Sequence, residues 1–319
     1  MITFEYKYLK MPTYQKAKEN KKNINRKRYN NYSRKNIRSN KSSKIRRNNS
    51  NNKKIWIDDS VFFGCSEMPN EKFLLNEASK FLKGPRQSKK NIPLSFWTYG
   101  FPGSGKSTMS LNYLGLNHNY VVNSTDEVME NLDAYNRGIN VKLKNGTIIG
   151  SKNMFLNCQE IAATIAEMVF SIASEYHRNL LIDIPFCDIE MVTYLKKQGY
   201  YMTGLYVMRK YKTIKKAIEN RALQTGRFIQ GVTTEQDYIS YINKDTPIIA
   251  KLAVEYLDEF YICANDTGIT FPQWAYKYLI KITPPNLQSW TKPAEHYKVD
   301  IRNINISQLK TILMVTKNL

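Results

Sequence analysis

The sequence holds few cysteines and histidines. Its four cysteines stand far apart without any Cys-x-x-Cys pair, and only three histidines occur. Such spacing fits neither a zinc site, which needs clustered ligands, nor a disulfide framework. We therefore expect buried or free thiols in a reducing compartment. The cysteines are Cys65, Cys158, Cys187 and Cys263.

Long hydrophobic segments are also missing, which argues against a transmembrane helix and a secretory signal. No apolar run reaches about eighteen residues, the length that a conventional transmembrane helix needs. Residues 1–10 are mixed and aromatic, and they lack the apolar core of a secretory signal. We expect an intracellular protein, cytoplasmic or nuclear, and a viral or organellar origin stays open.

Acidic residues are scarce near the N-terminus. Residues 1–54 contain 18 Lys or Arg against two Asp or Glu, a net charge of +16 out of +21 for the whole chain. From residue 15 onward this segment has almost no apolar side chains, so burial cannot offset its chain entropy and we expect a basic disordered tail. Two interpretations stay open: a solvated tail, or contact with nucleic acid through residues 15–54.

The remaining chain alternates short apolar runs with segments of helical periodicity. This alternation predicts an α/β fold with a five-stranded parallel sheet and helices on both faces. Residues 55–92 are predicted to form a helical extension, and residues 270–319, which contain four prolines, an irregular appendix that ends in a helix. The predicted strands are residues 94–99, 120–123, 180–184, 202–208 and 260–264.

One motif carries a strong functional signal. Residues 100–107, Gly-Phe-Pro-Gly-Ser-Gly-Lys-Ser, match G-x-x-x-x-G-K-[ST] in full, after the first predicted strand and before a helical segment. In a P-loop NTPase the backbone N–H groups surround phosphate oxygens, the lysine reaches the β- and γ-phosphates, and the serine hydroxyl ligates Mg²⁺. The predicted phosphate-binding residues are Gly100, Phe101, Pro102, Gly103, Ser104, Gly105, Lys106, Ser107 and Thr108.

Among P-loop proteins, the sequence favours a kinase. GTPases read their base with N-x-x-D after a strand, whereas residues 243–245, Asn-Lys-Asp, have a different spacing. Motor ATPases place Asp-Glu after a second acidic strand, but Asp183 is followed by Ile184 and Pro185. A lone Asp183 suits a kinase, in which it holds Mg²⁺ through water or reaches the substrate.

A kinase also needs a base for the acceptor hydroxyl and cations for the transition-state charge. Asp126 follows the second predicted strand, at the sheet edge that carries the phosphate loop. It is a candidate base, although Thr125 or Asp126 also fits a helix N-cap. Arg221 and Arg227 flank Gly226, so they fit a lid over the γ-phosphate or, alternatively, a solvated helix end.

These segments, in this order, resemble the zeta-toxin-like P-loop kinases, which are related to chloramphenicol phosphotransferases and polynucleotide kinases. The resemblance spans residues 95–266, and it rests on the phosphate loop, residues 121–126, 181–183, 205–208 and 220–227. The roles that it implies are a proton-accepting Asp126, phosphate-binding Arg221 and Arg227, Asp183 near the acceptor, and Asn265 close to the adenine of ATP.

The sequence departs from this family at two places. Residues 184–186, Ile-Pro-Phe, stand where the family has a Gly-Thr-like turn that shapes the substrate pocket, which disfavours a nucleotide-sugar acceptor. Residues 141–149 have the pattern of a hairpin with an Asn-Gly turn, and we interpret them as an insertion near the acceptor side.

We therefore predict a nucleotide-kinase-like P-loop domain over residues 93–269. It transfers the γ-phosphoryl group of Mg²⁺–ATP to a hydroxyl acceptor: a nucleotide, a sugar nucleotide or a nucleic-acid end. The alternative is a catalytically weak P-loop nucleotide-binding protein whose basic tail binds nucleic acid in a viral or organellar assembly. The predicted catalytic residues are Lys106, Asp126, Arg221 and Arg227, and the predicted Mg²⁺ ligands are Ser107 and Asp183.

Overall fold

The computed structural model describes residue 65 and residues 68–82, 91–116, 119–139, 151–183, 189–225, 234–289 and 294–318. The predicted basic tail, the predicted hairpin (141–149), Arg227 and Cys187 lie outside the described residues. The strands are β1 (Leu94–Tyr99), β2 (Val121–Asn123), β3 (Leu180–Asp183), β4 (Tyr201–Met208), β5 (Glu259–Ala264), β6 (Leu279–Ile282) and β7 (Glu295–Val299).

These strands form one sheet in the order β2-β3-β1-β4-β5-β7-β6. The first five run parallel, which confirms the predicted α/β class and all five predicted strands. The sheet of the described residues has seven strands, however, and not five. The two additional strands, β6 and β7, run antiparallel to their neighbours.

Helices cover both faces of the sheet, as predicted. Alternate residues of β1 enter two separate cores: Phe96 packs in one of them, and Trp97 and Tyr99 in the other. No helix of the described residues is long and apolar enough to cross a membrane. The α-helices are α1 (Glu71–Phe81), α2 (Lys106–Leu114), α3 (Thr125–Glu130), α4 (Asp133–Ile139), α5 (Ser151–Glu175), α6 (Ile189–Lys197), α7 (Tyr211–Thr225), α8 (Glu235–Glu255) and α9 (Ile306–Leu313), and short 3₁₀ helices span Gln273–Lys277 and Val315–Asn318.

The segment that was predicted to be an irregular appendix extends the sheet instead. β7 pairs with β5 in a register that sets Phe260 opposite Val299, and β6 pairs with the other side of β7. The prediction of an irregular segment is wrong because β6, Leu-Ile-Lys-Ile, and β7, Glu-His-Tyr-Lys-Val, are short and show no clear alternation of apolar and polar residues. Pairing with β7 satisfies the backbone of β5, whose last three residues are buried.

Helix α8 begins earlier than predicted. Its sequence pattern places a helix over residues 247–257 with Pro247 at the start, whereas the helix starts at Glu235 and contains Pro247 in its interior. A capping box fixes the start: the Thr234 hydroxyl accepts the N–H of Asp237, and the Asp237 carboxylate accepts the N–H of Thr234. Burial of the helix face on the sheet outweighs the hydrogen bond that the proline removes.

Two of the cysteines form a disulfide, which the sequence pattern did not predict. Cys65 and Cys158 are bonded, and both are buried. The bond attaches the chain before α1 to α5, and Leu74 and Ala78 of α1 are buried in the same core. The expectation of free thiols is therefore wrong for this pair, while Cys263 is free and buried as expected.

We expect the disulfide to contribute strongly to stability. It closes a loop with a sequence separation of 93 residues, for which chain entropy predicts about 3 kcal/mol or more. Reductant should lower the melting temperature of the unaltered chain by roughly 6 to 12 °C. The Cys65→Ser/Cys158→Ser variant should melt at the lower temperature with or without reductant. An unaltered chain whose melting does not respond to reductant would contradict this.

A buried histidine joins α2 to β7. His296 is 2% exposed; its Nε2 lies 3.4 Å from the Asn112 side-chain nitrogen, and its Nδ1 lies 3.0 Å from the Tyr113 hydroxyl. The Asn112 oxygen accepts the backbone N–H of Gln288 at 3.0 Å, which turns the amino group of Asn112 toward the imidazole. Nε2 therefore accepts a hydrogen bond, and the neutral ring fits this site. Burial lowers the pKa of His296 to about 4.

This histidine should make the fold sensitive to acid. Its ordinary pKa is 6.5, so below that pH the unfolded state binds a proton that the folded state does not bind until about pH 4. The free energy of unfolding should fall across this window, by up to about 3 kcal/mol more than in His296→Gln. Chemical denaturation of both chains across the same pH range measures the difference. Parallel pH curves would show that His296 titrates alike in both states.

Candidate active site at the phosphate loop

The phosphate loop, residues 100–107, connects β1 to α2 in a shape that depends on its glycines. Gly100 and Gly105 have φ angles of 136° and 95°. A Cβ on Gly100 would lie 2.6 Å from the carbonyl oxygen of Val207, so a side chain does not fit there. α2 begins at Lys106. Because the first N–H groups of a helix have no acceptor within the helix, they are available to phosphate oxygens.

Asp183, at the end of β3, connects the side chains that the motif predicts for metal binding. One carboxylate oxygen, Oδ2, accepts the Ser107 hydroxyl at 2.8 Å, and the other, Oδ1, accepts the Thr98 hydroxyl at 2.9 Å. The Lys106 ammonium lies 4.0 Å from Oδ1, and it donates to the carbonyl oxygen of Gly100 at 3.1 Å. Ser107, Asp183 and Lys106 therefore meet beside the phosphate loop.

The oxygen atoms at this point suit a Mg²⁺ ion. Mg²⁺ usually binds one or two protein oxygens and completes its shell with waters and substrate phosphates. The Ser107 hydroxyl and the Asp183 carboxylate provide such oxygens, 2.8 Å apart. The bond from Thr98 orients the carboxylate, as supporting residues do at metal sites. The residues thus fit the predicted ion, and their assignment as its ligands stays a prediction.

The candidate residues lie along one edge of the sheet, where the five parallel strands end. Thr98 pairs with Asp183, and Asn123 pairs with Ile182, so the ends of β1, β2 and β3 are level. β2 lies two strands from β1, which is about 10 Å at about 4.8 Å per strand. The phosphate loop and α3, the helix that follows β2, therefore lie at the same edge of the sheet with β3 between them.

Asp126 lies in the first turn of α3 and is exposed. The N-cap of this helix is Ser124, whose hydroxyl accepts the N–H of Glu127 at 3.4 Å. The alternative in which Thr125 or Asp126 caps the helix is therefore wrong. The position of Asp126 after β2 agrees with the sequence analysis, and its role as the base stays a prediction.

Arg221 of α7 reaches the helix that carries Asp126. Its Nη2 donates to Glu130 Oε1 at 3.2 Å, and Glu130 lies one helical turn beyond Asp126 on the same face of α3. Arg221 and Asp126 are thus brought to the same region of the molecule. The two partners of the ion pair are 45% and 43% exposed, so the pair itself contributes little to stability.

Asn265, directly after β5, holds the phosphate loop. Its side-chain amide donates to the carbonyl oxygen of Ser104 at 2.8 Å. In a trans peptide the C=O and N–H point in opposite directions, so this contact turns the N–H of Gly105 away from Asn265. A Cβ on Gly105 would lie 2.8 Å from the same amide nitrogen, which explains the glycine. Contact of Asn265 with adenine stays a prediction.

Phe101 serves the loop through packing. Its side chain is 4% exposed and lies in an apolar cluster with Ile214, Tyr238 and Ile242. Because the side chain is buried, only the backbone of Phe101 is available to contact phosphate. Of the other predicted loop residues, Pro102 is half-buried and Thr108 is exposed.

Sequence analysis does not predict two residues that support the site, Thr98 and Arg209. Thr98 orients Asp183, and Arg209 Nη1 donates to the carbonyl oxygen of Gly103 at 3.1 Å. Thr98 lies near the end of β1, and Arg209 comes directly after β4. Ligand sites of α/β proteins lie at such strand ends, so a search of every predicted strand end would have found both residues.

No protein-family model matches this sequence, and no curated protein is significantly similar to it. Seven chains of solved structures are similar to this chain. One of them comes from the PezAT chromosomal toxin–antitoxin system of the human pathogen Streptococcus pneumoniae. It has 17% sequence identity and a TM-score of 0.45, with 65% of this chain and 77% of that chain covered. The functional proposal below comes from the contacts of the site itself.

Proposed function

We propose that this protein is an ATP- and Mg²⁺-dependent phosphotransferase that moves the γ-phosphoryl group of ATP to a hydroxyl acceptor. One observation carries the proposal: the Ser107 hydroxyl lies 2.8 Å from the Asp183 carboxylate, and the Lys106 ammonium lies 4.0 Å from it. A glycine-rich loop with a cation and two adjacent oxygen ligands suits a triphosphate and its metal ion.

Nucleotide binding in this proposal uses charges that the fold provides. The N-terminal N–H groups of α2 and the Lys106 ammonium bind the phosphates. Ser107 and Asp183 hold Mg²⁺, which neutralises negative charge on the phosphate oxygens when it is bound. Thr98 keeps the Asp183 carboxylate in the required orientation.

Transfer requires a base and cations on the acceptor side. Asp126 accepts the proton of the acceptor hydroxyl, whose oxygen bonds to the γ-phosphorus while the bond to the bridging oxygen breaks and ADP leaves. Arg221 and Arg227 stabilise the charge on the moving phosphoryl group. Arg221 can exchange Glu130 for phosphate at little cost, because their ion pair is about half exposed.

The placement of residues 243–245 supports a kinase over a GTPase. Asn243 and Asp245 lie inside α8, whereas a guanine-reading motif follows a strand at the ligand edge of the sheet. The oxygen ligands near Lys106 suit any nucleoside triphosphate, and ATP is preferred because the sequence resembles kinases.

Transfer of label from γ-labelled ATP tests the proposal. The full chain is incubated with Mg²⁺, labelled ATP and separate pools of nucleotides, nucleotide sugars and nucleic acids with free hydroxyl ends. We expect a labelled product in one pool, lost when the metal is chelated. Measurable ATP binding without a labelled product in any pool would overturn the kinase and leave a nucleotide-binding protein.

The charge of residues 1–54 favours a second candidate, nucleic-acid binding through residues 15–54. This segment carries +16 of the net charge of +21, and such tails bind polyanions with strong salt dependence. If this candidate is right, affinity for RNA or DNA should vanish when residues 1–54 are deleted and survive Lys106→Ala. Loss of affinity in Lys106→Ala alone would show that nucleic acid binds at the phosphate loop instead.

A further inference from the structure

Helix α8 packs against the phosphate loop. Phe101 packs edge-on against two tyrosine rings of this helix, with its ring centroid 5.1 Å from that of Tyr238 and 5.2 Å from that of Tyr241. Tyr238 is 3% exposed. The loop thus has a hydrophobic anchor on the side away from its phosphate-binding edge.

The hydroxyl of Tyr238 connects this anchor to the 3₁₀ helix Val315–Asn318. It lies 2.9 Å from the carbonyl oxygen of Arg209 and 2.7 Å from the Thr316 hydroxyl. A carbonyl oxygen accepts only, so Tyr238 donates its one proton to Arg209 and the Thr316 hydroxyl donates to Tyr238. Burial raises the pKa of Tyr238 to about 12, which keeps this proton on the phenol at neutral pH. Thr316 is 2% exposed.

Arg209 connects Tyr238 to the phosphate loop. Its guanidinium donates to the carbonyl oxygen of Gly103 at 3.1 Å, and the N–H of Ser104 donates to the carbonyl oxygen of Phe101 at 3.0 Å. The peptide between Gly103 and Ser104 is therefore fixed at both ends. A cavity of about 10 Å³ is lined by Ser104, Arg209, Tyr238 and Thr316 among others, so these residues form one contiguous group.

The geometry points to Thr316 and Tyr238 as positioning residues of the phosphate loop. They hold the backbone of Arg209, so that its guanidinium fixes the Gly103–Ser104 peptide in the shape that receives phosphate. The inference rests on the proposed nucleotide binding. It also gives a role in the nucleotide site to a segment outside residues 95–266, where the kinase resemblance ends.

Equilibrium binding of a fluorescent ATP analogue with Mg²⁺ to the full chain tests this role. Thr316→Val removes the hydroxyl with little change in volume, and Tyr238→Phe removes its partner but keeps the ring against Phe101. We expect about tenfold weaker binding in each variant. KM for ATP should rise more than kcat falls, because the acceptor side is unchanged. The double variant should be little worse than either single one, since both remove the same contact.

Two further variants make the test specific. Thr316→Ser keeps the hydroxyl and should restore affinity to within about twofold of the unaltered chain. Thr311→Val is the matched control, because Thr311 is exposed on α9 and donates to the Ser307 carbonyl of its own helix. Its affinity should not change.

The outcomes separate this role from a purely structural one. Lower melting temperatures in Thr316→Val and Tyr238→Phe with unchanged affinity, measured where each is folded, would overturn the inference. Should Thr316→Val fail to fold, Tyr238→Phe alone decides by the same readout. Failure of the unaltered chain to bind the analogue would overturn the proposed function, and the inference with it.

Discussion

Lys106→Ala is expected to lower kcat/KM for phosphoryl transfer by about 10² to 10³-fold. The ammonium lies beside both the loop carbonyl of Gly100 and the Asp183 carboxylate. Among the described residues, no other cationic side chain lies within salt-bridge distance of Asp183. Without the ammonium, the negative charge of the β- and γ-phosphates in the transition state is less compensated than in the unaltered chain. Steady-state kinetics with the acceptor found by label transfer measures the loss.

A second lysine provides the control for this change. Lys251 lies on α8, is 51% exposed and pairs with Glu255 at 3.9 Å. Lys251→Ala removes the same charge far from the loop in sequence and should leave kcat/KM within about twofold. Full transfer activity in Lys106→Ala would show that the phosphate loop takes no part in phosphoryl transfer.

Asp126→Asn is expected to lower kcat by about 10³-fold while KM for ATP changes little. Asparagine has nearly the same shape but cannot accept the hydroxyl proton. The fold should tolerate the change, because Ser124 caps α3 and Asp126 is exposed. Single-turnover measurements with saturating ATP isolate the chemical step.

Glu127→Gln is the matched control for Asp126→Asn. Glu127 is also exposed in the first turn of α3, but successive side chains on a helix point about 100° apart. Both variants lose one negative charge near the same helix N-terminus, so they share any effect on the helix dipole. An equal loss of activity in the two variants would show that the effect comes from the lost negative charge and that Asp126 is not the base.

The central sheet and the phosphate loop could be predicted because their signals are local. Each parallel strand is a short apolar run with turn residues beside it, since both of its faces are buried. The loop needs glycine at fixed positions, so its pattern is visible without any tertiary information. Asp126 was predicted by the rule that places ligand groups at the carboxyl ends of parallel strands, and Asp183 as the lone acidic residue of its strand. Their roles stay predictions.

The remaining features depend on partners distant in sequence. β6 shows no hydrophobic alternation and β7 is mostly polar, so neither is recognised alone. They become strands because β7 pairs with β5 and β6 pairs with β7. The disulfide joins residues 93 positions apart, and spacing alone cannot pair four cysteines. The contact of Tyr238 with Thr316 spans 78 positions. Neither residue type carries a signal of its own.

The position of β5 inside the sheet gives the two sides of the site different mechanical properties. β5 is bonded along its length to β4 and β7, so Asn265 extends from a strand with neighbours on both sides. β2 has three residues and, among the described strands, only β3 beside it. The sheet therefore supports Asn265 from two neighbouring strands and the segment before Asp126 from one. We expect any movement that accompanies substrate binding to be larger in β2, an edge strand among the described strands, than in β5.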